Sequence, residues 1–199
     1  EGSKLTLRET ADLLEEGITP KGKSVRDVRE AEAHQKAFYE MMAYEKDLSL
    51  QTTLLWHKKL FDVSKPDIAG KIRQHQVLIA GSKFIPPLPV EIYYILRKFF
   101  GWYEGNKRNL HPVELAATVH LKFVTIHPFS DGNGRLMMNF VLKRYGFPLL
   151  NISYRDRRSY YNALERAQIK GQDSVFLQWF FRRYLKAHRT YLRPRKHSE

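Results

Sequence analysis

A chain of 199 residues, 43% apolar and 13% aromatic, carries enough hydrophobic surface to close one domain core and too much to stay disordered. It has no cysteine, which excludes disulfides and thiolate metal sites and suits a reducing, cytoplasmic setting, and no apolar run is as long as a membrane span. The net charge of +13 points to an acidic partner or substrate. Nucleic acid is one such partner but is not favoured, because much of the charge, from Arg182 to Lys196, crowds the C-terminal end as a solvated helix face and tail would. A chain that opens on Glu1 rather than Met, without a signal-peptide pattern, reads as a segment of a longer one.

The first predicted helix spans 5–16: Thr6 with Glu9 three positions on makes a capping box, and Gly17 and Pro20 end it. Ser24, with Asp27 in the first turn, opens a second helix that runs to about Tyr44. A third covers 49–62, where Leu50, Leu54, Leu55, Leu60 and Phe61 recur near helical spacing. From Asp67 the texture changes. Gly70, Gly81 and Pro86-Pro87 punctuate a segment whose apolar, β-branched stretch predicts two short strands, 71–76 and 77–84, paired as a flap. Helices return over 89–104, 111–126, 133–145, 156–169 and 173–190, with breaks at Gly105, Gly146 and Gly171. The expectation is an all-α, compact helical bundle with one short β-hairpin flap.

Between two of these helices lies His127-Pro128-Phe129-Ser130-Asp131-Gly132-Asn133-Gly134-Arg135. Glycines at a helix N-terminus turn backbone N–H groups toward an anion, the helix dipole favours negative charge there, and an arginine adds a bidentate grip. Asp131 suits such a phosphate turn when it holds a divalent cation that bridges to the phosphates. An imidazole beside a bound triphosphate can take a proton from an attacking hydroxyl while cation and amides absorb charge on the phosphorus oxygens. Pro128 fixes the turn and Phe129 anchors it in the core.

This segment resembles the motif of the Fic (Fido) domain family, His-Pro-Phe-x-Asp/Glu-Gly-Asn-Gly-Arg, at every specified position, and Leu110 to Glu114 resemble the start of the helix that precedes it. Val77 to Gly81 followed by Pro86-Pro87 resemble the family's flap, which lays an extended target segment beside the site by strand pairing. The stretches Arg158-Ser159-Tyr160-Tyr161 and Ala167-Gln168 resemble those that pack around the nucleoside. The resemblance implies a Fic-type bundle over 48–186, a helical lead-in with an inhibitory segment over 1–47, and a basic tail over 187–199. It also implies a protein adenylyltransferase that moves AMP from ATP onto a Ser, Thr or Tyr hydroxyl of a protein, with Mg²⁺. His127 would be the general base and Asp131 the Mg²⁺ ligand. Gly132, Asn133 and Gly134 would form the anion hole and Arg135 would bind the β-phosphate side. Val77, Leu78, Ile79, Ala80, Tyr160, Tyr161 and Gln168 would border the nucleoside, although both tyrosines also fit a packed helix face.

Two departures from the pattern stand out. The family motif continues with a second arginine three residues after the first, where this chain has Met138. The run Leu136 to Phe140 resembles the stretch immediately C-terminal to that arginine, as though three residues were absent, a loss that turns a helix by about 60° and shortens it by about 4.5 Å. At the N-terminus, Glu1-Gly2-Ser3 resembles the tail of the inhibitory motif of autoinhibited members, with Glu1 as its glutamate, but Met138 gives it no arginine to pair with. These departures keep two alternatives beside the transferase: a weakly active or inactive nucleotide-binding module, and an enzyme that removes AMP from proteins.

Overall fold

The computed structural model of the chain describes residues 6–134 and 137–189. Among them are eight α-helices and no β-strand: α1 (Leu7–Glu16), α2 (Val25–Ala43), α3 (Leu50–Phe61), α4 (Pro89–Asn106), α5 (Pro112–Ile126), α6 (Met137–Arg144), α7 (Arg157–Lys170) and α8 (Asp173–Ala187). A single 3-10 turn, Tyr154–Asp156, leads into α7. None of the described helices is long and apolar enough to cross a membrane.

The helix starts follow from side-chain chemistry. Thr6 Oγ1 accepts from the Glu9 N–H while Glu9 returns a carboxylate oxygen to the Thr6 N–H, so two otherwise unpaired donors of α1 are satisfied at once. Ser24 and Ser49 cap α2 and α3 in the same one-sided way, accepting from Asp27 and Thr52. Proline at the first position opens both α4 and α5. Gly17 ends α1 with a left-handed φ of 72°. The helix expected to stop at Gly105 instead continues to Asn106, since a glycine inside a packed helix lowers its propensity without breaking it.

α5 is the axis of the bundle. Leu115, Ala116, Ala117 and Val119 are fully buried, and so are residues on its other faces, from Val113 to Ile126. A helix apolar all round must be enclosed by others. Here α4, α6 and α8 surround it, with α7 on α8 and α2 on α3 and α6. The core continues as an aromatic chain, with Phe99 against Phe123 and Phe123 against Phe129, while Trp56 packs on Phe140 at 4.5 Å between ring centroids.

The flap region does not form the expected hairpin. Its residues alternate in exposure as a strand would, with Val77 and Ile79 half-buried and Leu78 and Ala80 exposed, but no ladder joins the two arms. Just beyond the expected second arm, Pro86 and Pro87 have no N–H to donate and cannot extend a ladder. Side chains bridge the arms instead: Gln76 Nε2 donates to the Pro86 carbonyl at 2.9 Å and Arg73 Nη2 to the Pro87 carbonyl at 2.6 Å. The flap is therefore an extended loop.

The loop before α3 is pinned through one carboxylate. Asp47 accepts from Tyr103 Oη and Lys107 Nζ, each at 2.7 Å, and pairs with Arg144 Nε at 3.2 Å, tying α4 and α6 to the entry of α3. Burial raises the Asp47 pKa, but the bonds from Lys107, Tyr103 and the Leu48 N–H outweigh it and hold the carboxyl below its ordinary value. A carboxyl depressed in the folded state contributes stability above its unfolded pKa and loses it as the pH falls through the folded one. Asp47→Asn is expected to cost about 2 kcal/mol in urea unfolding at neutral pH, and the difference from wild type should shrink below about pH 4. An equal difference at both pH values would remove Asp47 from this role.

Candidate active site

α5 ends at His127 because Pro128 follows, which disfavours the right-handed helical region for the preceding residue. His127 takes φ 51°, ψ 56°, and is the one non-glycine with positive φ among the described residues. That conformation costs about 1 kcal/mol for a residue with a Cβ. It is held from both sides. The His127 N–H donates to the Phe123 carbonyl at 3.0 Å, and its own carbonyl accepts from Arg73 Nε at 2.8 Å.

The ring is oriented as well. Nδ1 lies 3.4 Å from the Val124 carbonyl, which can only accept, so the proton sits on Nδ1 and Nε2 carries the lone pair. Burial lowers the His127 pKa, with the Arg73 cation adding to the effect; the Val124 carbonyl and Asp131 oppose it without overcoming it. The imidazole is therefore neutral at pH 7, as a general base must be.

The turn after His127 is braced from within. Asn133 is buried, and its side chain pairs with both backbone groups of Phe129: Oδ1 accepts from the N–H at 2.7 Å and Nδ2 donates to the carbonyl at 2.8 Å. Asn133 thus offers an anion its backbone only. Phe129 stacks on His57 with centroids 3.8 Å apart. His57 Nδ1 accepts from the Gly70 N–H at 2.9 Å, which leaves the proton on Nε2 to donate to the Asp131 carbonyl at 3.1 Å. Gly132 has φ 72°, and a Cβ there would lie 2.6 Å from the Phe61 ring, so position 132 excludes any side chain twice over.

The Asp131 carboxylate points outward from this braced turn. Oδ1 accepts from the Gly132 N–H at 2.6 Å, so that amide is spent on its neighbour, and Oδ2 meets Lys65 Nζ at 2.5 Å. Lys65 also reaches Glu30 on α2 at 3.2 Å. The described residues hold no cluster of three or more ligating side chains. One carboxylate beside a phosphate site nonetheless fits Mg²⁺, which takes one or two carboxylates and fills its shell with substrate oxygens and water. To do so the ion would displace the Lys65 ammonium.

The other expected site residues gather around the same end of α5. Gln168 on α7 donates to Thr125 Oγ1 at 3.2 Å, two residues before His127, and Glu165, one turn earlier, accepts from the Lys83 N–H of the flap at 2.6 Å. Arg73 closes the triangle by joining the flap base to His127. Hydrogen bonds therefore join the flap, α7 and the His127 turn, and Val77 to Ala80 belong to that flap. Tyr160 has its hydroxyl 2.8 Å from His120 Nε2, on α5 about 10 Å along the axis from His127. Its ring packs against Tyr161, Phe176 and Trp179. Tyr161 is more open, with Arg157 over its ring. Arg135 and Glu1 lie outside the described residues. The helix expected from residue 133 is seen from Met137, with Asn133 and Gly134 in a turn. Met138 is buried in the core rather than standing in the position of a phosphate-gripping arginine.

Three residues that support this site do not stand out in the sequence as site residues. His57 carries a signal: it lies four residues before Phe61, on the apolar side of α3. Lys65 and Arg73 carry none, because charged side chains are ordinarily read as solvated.

Residues 47–142 match the Fic/DOC family. Over 174 residues the chain is 33% identical to the Protein adenylyltransferase Fic of Drosophila grimshawi, an alignment covering 84% of this chain and 36% of that protein. It is 35% identical to the protein of the same name from Culex quinquefasciatus, covering 84% and 35%. Among solved structures, Fic-1 from C. elegans superposes with a TM-score of 0.84 at 28% identity, covering 96% of this chain and 58% of that one. A Fic domain containing signaling protein from Bacteroides thetaiotaomicron gives 0.84 and 28% over 94% and 79%. The chain spans about a third of the length of the curated relatives it matches.

The contact between Gly132 and Phe61 can be tested by substitution. Gly132→Ala forces the Phe61 ring to move and places a Cβ at left-handed φ, so it should cost about 1–3 kcal/mol and displace the Asp131 carboxylate. Thermal unfolding within half a degree of wild type would show that the turn is not braced by this contact.

Proposed function

Because this chain belongs to the Fic/DOC family, we propose that it is a protein adenylyltransferase. It transfers AMP from ATP to a Ser, Thr or Tyr hydroxyl of a protein and releases pyrophosphate. The observation that carries this reading is the geometry of His127, whose Nδ1 faces the Val124 carbonyl and leaves Nε2 to accept, next to the glycine turn and tied to the flap through Arg73. Nε2 takes the proton of the target hydroxyl as its oxygen attacks the α-phosphorus, and the bond from the α-phosphorus to the bridging oxygen breaks to free pyrophosphate.

The remaining residues bind and orient. The backbone of Asn133 and Gly134 faces the phosphates, with Arg135 on the β-phosphate side. Asp131 holds Mg²⁺, which when bound neutralises charge on the phosphate oxygens. Val77 to Ala80, Tyr161 and Gln168 border the nucleoside, with Tyr160 supporting them from beneath. The exposed flap arm offers the backbone of Val77 and Leu78 to an extended target segment, while the Ile79 carbonyl accepts from the Ser82 N–H. Residues 48–186 form the catalytic unit, 1–47 its lead-in with Glu1 as an inhibitory glutamate, and 187–199 a basic tail.

One observation favours a second reading. Met138 is buried where the family carries its second arginine, so the γ-phosphate lacks that cationic partner. On this reading the chain binds nucleotide and turns over slowly or not at all. Incubation with α-labelled ATP, Mg²⁺ and candidate target proteins separates the two. The transferase reading expects label on protein, reduced about 10²–10⁴-fold in His127→Ala. Calorimetric binding of ATP with no label in either protein would leave the binding module.

The pH profile of transfer tests the base directly. A histidine lowered below its ordinary value is deprotonated, and so active as a base, further down the pH scale. The acid limb of the transfer rate should fall with a midpoint below about 6.5. A midpoint above that value would contradict the role given to His127.

A further inference from the structure

Resting on the transferase reading, we propose that Arg73 is a positioning residue that locks the flap and the catalytic histidine into one register. It is buried at 3% exposure, at the foot of the flap. Its guanidinium donates from Nε to the His127 carbonyl at 2.8 Å, from Nη1 to the His75 carbonyl at 2.9 Å and from Nη2 to the Pro87 carbonyl at 2.6 Å. Its backbone N–H donates to the Pro128 carbonyl at 2.9 Å. One planar fork thus joins both ends of the flap to the left-handed residue that carries the base.

The chemistry of these contacts is unlike that of a structural ion pair. No carboxylate among the described residues lies within ion-pair distance of Arg73, so its buried charge is met by carbonyl dipoles alone. An apolar side chain would fill the space at lower desolvation cost. The fork geometry accounts for the arginine: three carbonyls from three separate stretches of chain are matched by three N–H groups in one plane. A target segment laid along residues 77–80 takes its position from the flap, and its hydroxyl must meet Nε2 of His127 within a few tenths of an ångström. Arg73 sets that distance. Lysine keeps the charge but has no planar fork, so it cannot hold all three carbonyls.

Arg73→Lys and Arg73→Met separate fork from charge. Both are expected to lower kcat for transfer to protein about 10²-fold while the calorimetric affinity for ATP·Mg²⁺ stays within about threefold. In both, the hydrogen-bonded amides of Ser82, Lys83 and Phe84 should exchange at least about tenfold faster, with those of α5 unchanged. Recovery of kcat and flap protection in the lysine variant would overturn the proposal, as would a parallel loss of ATP binding and kcat, which marks a merely structural role. Amide exchange does not need turnover: if wild type transfers no AMP, the transferase reading fails while the flap measurement still judges Arg73. Should neither variant fold, the wild type decides. Its Arg73 Nε–H should resist solvent exchange at least about 10²-fold more than that of Arg97, which is on the surface, and equal exchange would overturn the proposal.

Discussion

A helix buried on every face has to end somewhere, and the way α5 ends sets the geometry of everything around the site. The last carbonyls of a helix have no partner within it, and two of those of α5 find donors on His127. The Phe123 carbonyl takes the His127 N–H, and the Val124 carbonyl takes His127 Nδ1. The carbonyls of His127 and Pro128 both go to Arg73. Satisfying the helix end therefore fixes the imidazole's tautomer, its orientation and its link to the flap together. Proton acceptance at Nε2 is a consequence of hydrogen-bond demands that the fold had to meet in any case.

Two cations flank that end, and they are treated differently. Lys65 is neutralised between Asp131 and Glu30, with its chain over the Phe61 ring, so it contributes little net field. Among the described residues Arg73 meets carbonyl oxygens alone, and it is itself pushed below its ordinary pKa by burial. Burial does most to hold the His127 imidazole neutral, and the Arg73 cation adds to it. A similar economy holds two turns deeper. His120 is buried with Nδ1 unpartnered, and burial pushes it down to about 4, so the interior of α5 carries no charge at pH 7.

The parts of the fold legible in the sequence are those decided by near neighbours. The Thr6 and Ser24 caps, the left-handed Gly17 and the continuous apolar run of α5 all rest on contacts a few residues apart. The motif is legible for the same reason, since its residue types and their order carry the chemistry. The flap misleads because alternation reports exposure, not pairing. Its arms do alternate, but Pro86 and Pro87 beyond them have no N–H to extend a ladder. His57, Lys65 and Arg73 are contacts made across 54 to 74 residues of chain, and no local pattern announces them.

The start of α6 shows how the fold settles a conflict between core and site. The run Leu136 to Phe140 resembles the family's stretch beyond its second arginine, as though three residues were absent, and on that reading a helix continuous from Asn133 would carry its apolar face about 60° out of register with the core. Met137, Met138, Phe140, Val141 and Leu142 are all buried nevertheless. Burying each such side chain contributes about 1.5–3 kcal/mol, whereas a favourable charge at a helix N-terminus contributes about 0.3–1 kcal/mol. The core interaction is several times larger, so the buried face of α6 is set by its packing on α5. Asn133 and Gly134 consequently lie in a turn.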